Sequence, residues 1–213
     1  MKGLIVDFGG VLTTSIVESF SAFCIENGIP PARLWAALRA DADGIGGAEA
    51  DHPVHLIETG QMSGDEFNLY LAGALSENAD SPLADMGLKD RLFFSVRPEP
   101  SMVMAVGTYR SSGIKTALLS NSWGGDGYPR ETFDVLFDTV VLSGDVGLRK
   151  PQAEIYLMTA SRLGLEPQDC VFVDDLKSNI AGAEAVGMKG ILHTDVAVTI
   201  ESLEEIFGVK GSA

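Results

Sequence analysis

Cysteine is scarce in this chain: Cys24 and Cys170 are the only two among 213 residues. Two thiols cannot build a disulfide scaffold, and the apolar run around Cys170 suits a buried, inert thiol. Positive charge is scarce too, with 15 Lys and Arg against 30 Asp and Glu, a formal net charge of -15. That balance repels phosphate backbones and anionic lipid surfaces, so neither nucleic acid nor membrane is an expected partner. No apolar run approaches the roughly 20 residues of a membrane span. Leu4-Ile5-Val6 is too short for a signal peptide and meets Asp7 at once, so the expected location is cytoplasmic. What remains is an ordinary globular composition, 46% hydrophobic and 21% charged, which argues against disorder. A chain of this length suits one domain, or one domain carrying an insertion, with a full core of its own.

Short apolar runs recur at residues 4–8, 114–119, 139–142, 170–173 and 190–192, each bounded by Gly, Ser, Asn or Asp. They lack polar alternation and read as strands covered on both faces, as in a parallel sheet. Amphipathic patterns separate them. Pro100-Ser101 opens one helix, which Gly113 closes; Pro151 opens another, stopped by Gly164; a third runs from about 178 to 186. This alternation predicts an α/β fold: a Rossmann-like, doubly wound parallel sheet. Residues 14–97 break the pattern with helical signals and no convincing strand. Ser15-Ile16-Val17-Glu18 and Ser63-Gly64-Asp65-Glu66 read as capping boxes, while residues 44–47 and 48–53 read as loop. The expected organisation is an α/β core of residues 1–13 and 98–213 with a small all-helical cap, 14–97, over the sheet's carboxyl edge.

Chemistry-bearing residues collect at the strand ends. The first strand delivers Asp7-Phe8-Gly9-Gly10-Val11, the second Ser120-Asn121, the third is followed by Lys150-Pro151, and the fourth ends in Asp174-Asp175 with Asn179 beyond. Three carboxylates converging in one crevice need a counter-charge. Mg²⁺, a hard ion bound by one or two carboxylates plus substrate phosphate, is the expected cofactor.

These four motifs, in this order and with a cap-sized insertion, resemble the haloacid dehalogenase superfamily. The similarity covers nearly the whole chain and points to the phosphatase-like branch, as in the N-terminal phosphatase domain of soluble epoxide hydrolase. The resemblance implies a hydrolase of small phosphorylated molecules. Asp7 would be the nucleophile that forms an aspartyl-phosphate, and Lys150 would neutralise both Asp7 and the phosphoryl group. Ser120 and the backbone N–H of Asn121 would hold the phosphoryl oxygens. Asp175 would be the principal metal ligand, with Asp174 beside it, a carboxylate oxygen of Asp7 and the backbone carbonyl of Gly9. Asn179 would orient the acidic loop.

The family's phosphatases carry a second Asp two residues after the nucleophile, as general acid and base. Here that position is Gly9. Loss of that group costs about 10²–10⁴-fold in rate. Good leaving groups such as sugar 1-phosphates, acyl phosphates or aryl phosphates would tolerate it; a cap residue or water would replace it; or the fold would serve as a weak or inactive binding module. A 2-haloacid dehalogenase is the other catalytic alternative, but such enzymes typically carry a Tyr at the Gly9 position and lack the acid pair. The Asp7-Phe8-Gly9 triplet stands without the other kinase segments, and no GxGxxG is present. His52, His55 and Glu58 have metal-ligand spacing but no third strong ligand, and read as surface. Trp123 and Tyr128 would either line the substrate entrance or pack between core and cap. Asp41, Asp43, Asp51, His52 and His55 are further candidates to face the site, which the sequence does not place.

Overall fold

The computed structural model describes residues 1–39, 51–76, 87–124 and 128–210; Asp41, Asp43 and residues 44–50 of the expected loops lie outside these. Five strands, β1 (Gly3–Val6), β2 (Lys115–Ser120), β3 (Thr139–Leu142), β4 (Cys170–Asp174) and β5 (Lys189–Leu192), form one sheet in the order β3-β2-β1-β4-β5. Every pairing is parallel. The apolar runs show no alternation because both faces are covered. Leu4 and Val6 pack with α6 (Pro100–Ser111) and α11 (Val196–Phe207), while Ile5 faces α9 (Ala153–Leu163) and α10 (Lys177–Ala185). This is the expected doubly wound α/β sheet.

Among the described residues, five helices come between β1 and α6: α1 (Ile16–Glu26), α2 (Pro31–Leu38), α3 (Pro53–Glu58), α4 (Gly64–Ser76) and α5 (Leu88–Leu92). They bury a cluster of their own around Phe20, Leu34, Ile57, Phe67 and Leu92. Local sequence explains their ends. Ser63 and Glu66 cap α4 reciprocally, the Glu66 N–H reaching Ser63 Oγ at 3.2 Å and the Ser63 N–H reaching Glu66 Oε2 at 2.8 Å. Ser15 supplies its half of a box, accepting the Glu18 N–H at 3.4 Å.

Two helix starts differ from expectation. Pro53, read as the end of a loop, is the first residue of α3, with His52 Nδ1 accepting the Val54 N–H at 3.3 Å. Proline suits that position because its missing N–H has no partner to lose. Pro151 does not open α9, which begins at Ala153 after Gln152; the Gln152 side chain instead accepts the Arg149 N–H at 2.8 Å and tightens the turn.

The helices join the sheet through two adjacent chain passages. Thr13 and Pro98 form an antiparallel bridge, and the Thr14 and Glu99 N–H groups donate across it to Arg97 and Leu12 carbonyls, each at 2.8 Å. A second contact lies between the turn after α3 and α8 (Ser143–Val146). Gly60, at φ 71°, approaches Gly144 so closely that a Cβ would sit 2.6 Å from its carbonyl oxygen. Neither backbone can yield cheaply. Gly60→Ala is expected to cost about 1–3 kcal/mol of stability, read as a lower urea midpoint.

Candidate active site

The sheet order reverses at β1, so β2 and β4 flank it and the three carboxyl ends open into one crevice. Asp7 follows β1, its N–H still bonded to the Val173 carbonyl at 2.9 Å. Lys150 reaches in from the segment after α8, and its side chain is 1% exposed. Its Nζ lies 2.8 Å from Asp7 Oδ1 and 2.6 Å from Asp174 Oδ2. Asp7, Asp174 and Asp175 each bring a carboxylate oxygen within 4.8 Å of the others, a group able to hold a metal ion.

The supporting bonds separate the two adjacent acids. Asn179 Nδ2 donates to both Asp174 oxygens, at 3.0 and 3.1 Å, and the Leu176 N–H donates to Oδ1 at 2.8 Å. Together with Lys150, these partners occupy Asp174 fully. Asp175 makes no such set of bonds and borders the cavity. Gly10, at φ 74°, turns the chain beneath it, where a Cβ would run into the Asp175 carboxylate. Asn121 has an unexpected use: its Oδ1 accepts the Lys150 N–H at 2.8 Å and its Nδ2 donates to the Lys150 carbonyl at 3.1 Å. Its side chain therefore fixes the lysine's backbone. Ser120 Oγ lies 2.9 Å from Tyr128 Oη, whose ring packs on Phe8 at 4.9 Å.

The electrostatics follow from burial. Desolvation raises Asp7 to about 6; Lys150 opposes this and Asp174 adds to it. Asp175 rises to about 7, first through burial and then through repulsion by Asp7 and Asp174. Burial disfavours the Lys150 charge, yet the Asp174 and Asp7 carboxylates outweigh it and hold the ammonium above the ordinary lysine range. Three carboxylates face one ammonium. The neighbouring Arg149 is committed elsewhere, its Nε 2.6 Å from Glu58 Oε2. The donor set is all oxygen and carries excess negative charge, which fits a hard cation.

The Glu58–Arg149 pair escaped the sequence reading, which weighed Glu58 only with His52 and His55. All three are buried rather than on the surface. His52 caps α3, with Tyr70 Oη 3.3 Å from its Nε2, and among the described residues these three form no metal-ligand cluster. Glu58, not Asp51, His52 or His55, lines the cavity. Burial raises the Glu58 carboxyl, and bonds from Arg149 and Trp123 pull it back. Trp123 donates to Glu58 Oε1 at 3.3 Å and packs among Phe20, Phe67 and Phe93. It therefore fills both roles that were open for it, joining the helical cluster and lining the cavity. Gly9 is not held in a left-handed conformation, but a Cβ there would meet the Ile16 side chain at 3.1 and 3.3 Å.

Raised carboxyls bind protons more tightly in the folded chain than in the unfolded one. Their stabilising effect is present at low pH and lost as pH climbs through about 6 and 7. The melting temperature of EDTA-treated protein is expected to fall between about pH 5 and about pH 8, and to fall less in Asp175→Asn, as measured by thermal denaturation across that range.

The chain has relatives. Bifunctional epoxide hydrolase 2 of Rattus norvegicus is 30% identical over 116 residues, 51% of this chain and 21% of that protein. The sesquiterpene phosphatase astK of Aspergillus oryzae is 28% identical over 116 residues, 53% of this chain and 59% of its own length. The chain spans about a fifth of the length of the mammalian relatives it matches. A HAD family enzyme of Bacteroides thetaiotaomicron, crystallised with magnesium and inorganic phosphate, superimposes with a TM-score of 0.63 at 20% identity, over 91% of this chain and 94% of that one. At that identity the likeness is one of fold. No helix among the described residues is long and apolar enough to cross a membrane. A family model for haloacid dehalogenase-like hydrolases matches residues 1–187, and the chain belongs to that family.

Proposed function

We propose that the protein hydrolyses small-molecule phosphomonoesters in the presence of Mg²⁺, with Asp7 as nucleophile. The observation that carries this reading is the buried Lys150, shared by Asp7 and Asp174 inside a cluster of three carboxylates. Residues 1–13 and 98–213 are read as the α/β core and 14–97 as the helical cap.

Asp7, Asp175 and the Gly9 carbonyl would hold the ion. Asp174, with both oxygens engaged, would stand beside them and anchor Lys150. Bound Mg²⁺ supplies positive charge to the cluster and to phosphoryl oxygens. Lys150 orients one Asp7 oxygen, leaving the other to attack phosphorus, and its charge balances what builds up on the phosphoryl group. Ser120 Oγ and the Asn121 N–H are read as the groups that receive phosphoryl oxygens. The Asn121 side chain and Asn179 hold Lys150 and Asp174 in place, so the charged groups need little rearrangement as the reaction proceeds.

Gly9 supplies no acid to the leaving group and no base to the water that cleaves the aspartyl-phosphate. Ile16 stands where such a side chain would extend. Turnover is therefore restricted to leaving groups that depart unprotonated. The relatives that are phosphatases by name, astK among them, support transfer of a phosphoryl group to Asp7 rather than displacement of halide.

Phosphate release from an aryl phosphate is expected to require Mg²⁺ and to vanish in Asp7→Asn, which keeps the side chain's shape but not its nucleophilicity. Metal-independent chloride release from a 2-chloro acid would instead establish the dehalogenase reading. The double variant Gly9→Asp/Ile16→Ala, which makes room for the missing acid, is expected to raise kcat on an alkyl phosphate by about 10²-fold or more, measured as phosphate release.

A further inference from the structure

The cavity over Asp7 has a volume of about 1070 Å³. That is at or above the upper end of the roughly 300–1,000 Å³ typical of small-molecule sites, far more than a phosphate requires. Its floor is polar, with Asp7, Ser120, Lys150 and Asp175. Its wall is aromatic. Phe20, Trp35, Phe93 and Trp123 all line it, and the Phe20 ring centroid lies 6.0, 5.3 and 5.8 Å from those of Trp35, Phe93 and Trp123. Of the charged side chains on the same wall, Glu58 pairs with Arg149 at 2.6 Å and Lys89 with the exposed Asp90 at 3.0 Å, Arg97 donates to the Phe94 and Val96 carbonyls, and Glu131 lines the rim.

We propose that the substrate is a phosphate monoester of a phenolic hydroxyl on a fused or extended aromatic scaffold. This rests on the phosphohydrolase reading and names its substrate class. Two independent observations converge on it. The aromatic wall favours large apolar rings and penalises a sugar, whose hydroxyls would lose water against ring faces. Gly9, backed by Ile16, withholds a proton from the leaving oxygen. A phenolate leaves without one, since phenols ionise near pH 10, as tyrosine does. An alkoxide is far more basic, as water with its pKa of about 16 indicates. A small acyl phosphate satisfies the second condition but leaves the wall unfilled. A terpenoid monophosphate satisfies the first but leaves as an alkoxide. An extended aryl phosphate satisfies both.

The chemistry balances without a further reactant. An Asp7 oxygen forms a bond to phosphorus as the phosphorus–aryl oxygen bond breaks. The electron pair departs on the aryl oxide, which takes a proton from water outside the reacting bond. A second water then adds to phosphorus, and the Asp7 carboxylate leaves with its electron pair. Inorganic phosphate is released, and the remaining proton returns to solvent. Trp35 and Phe93 act on the ring system alone, as specificity residues.

The test is a comparison of kcat/KM with Mg²⁺ for phenyl phosphate, 1-naphthyl phosphate, glucose 1-phosphate, farnesyl phosphate and acetyl phosphate. Phenyl and naphthyl leaving groups differ little in basicity, so their ratio reports on ring size. Naphthyl phosphate is expected to exceed phenyl phosphate by about tenfold and the sugar and terpenoid phosphates by about 10²-fold or more. Trp35→Ala is expected to raise KM for naphthyl phosphate several-fold more than it changes that for acetyl phosphate, and Phe93→Leu, a milder truncation, should shift the same ratio to a smaller degree. Glucose 1-phosphate or farnesyl phosphate matching naphthyl phosphate overturns the proposal while leaving the phosphohydrolase reading intact. So does an equal loss on naphthyl and acetyl phosphate in both variants. Failure to release phosphate from any of the five, acetyl phosphate included, overturns the phosphohydrolase reading itself.

Discussion

Removing a lysine ammonium from water is among the costlier acts a fold performs, and here it is done completely. Lys150 is tolerated in the interior because Asp7 and Asp174 meet it from the ends of two adjacent strands, β1 and β4. Those carboxylates need the lysine equally. The rest of the crevice maintains this mutual requirement. Asn121 grips the lysine's backbone, Asn179 and the Leu176 N–H hold Asp174, and Gly10 lets the chain turn beneath Asp175. A parallel sheet supplies the geometry because its strands release their side chains at the same edge.

Much of this was legible in the sequence for a simple reason: the sheet is buried on both faces. Residues 139–142 and 170–173 could hardly be anything but strands, and the polar residues that follow such strands must lie at the edge where ligands bind. Boundaries were less legible. Phe8 was counted in the first strand, yet β1 ends at Val6 as the chain leaves to position Asp7. The helix after Lys150 starts later than its proline suggests, since Gln152 first closes the turn on Arg149.

The residues that were missed depend on contacts distant along the chain. Glu58 and Arg149 are 91 residues apart, and no local pattern announces that an acid in a short helix will meet a base beside the buried lysine. His52 and His55 looked solvated because a histidine pair without a third ligand usually is; α3 instead packs into the interior of the helical cluster and takes both with it. Gly9 was visible as a departure from the family pattern. That Ile16 occupies the space beyond it was not, since the two residues meet only once α1 folds back over the strand end.

Trp123 and Arg149 belong by position to the loops of the sheet, yet both are completed by residues of the helical insertion. The tryptophan fits among Phe20, Phe67 and Phe93, and the arginine is neutralised by Glu58. The insertion is therefore not a detachable module. Transplanted alone onto another core of this family, it would arrive with an unmatched buried acid and an aromatic nest lacking its central ring. A workable chimera has to carry residues 120–124 and 149–150 along with it, so the helices that line the cavity and the loops that hold the buried lysine constrain each other's evolution.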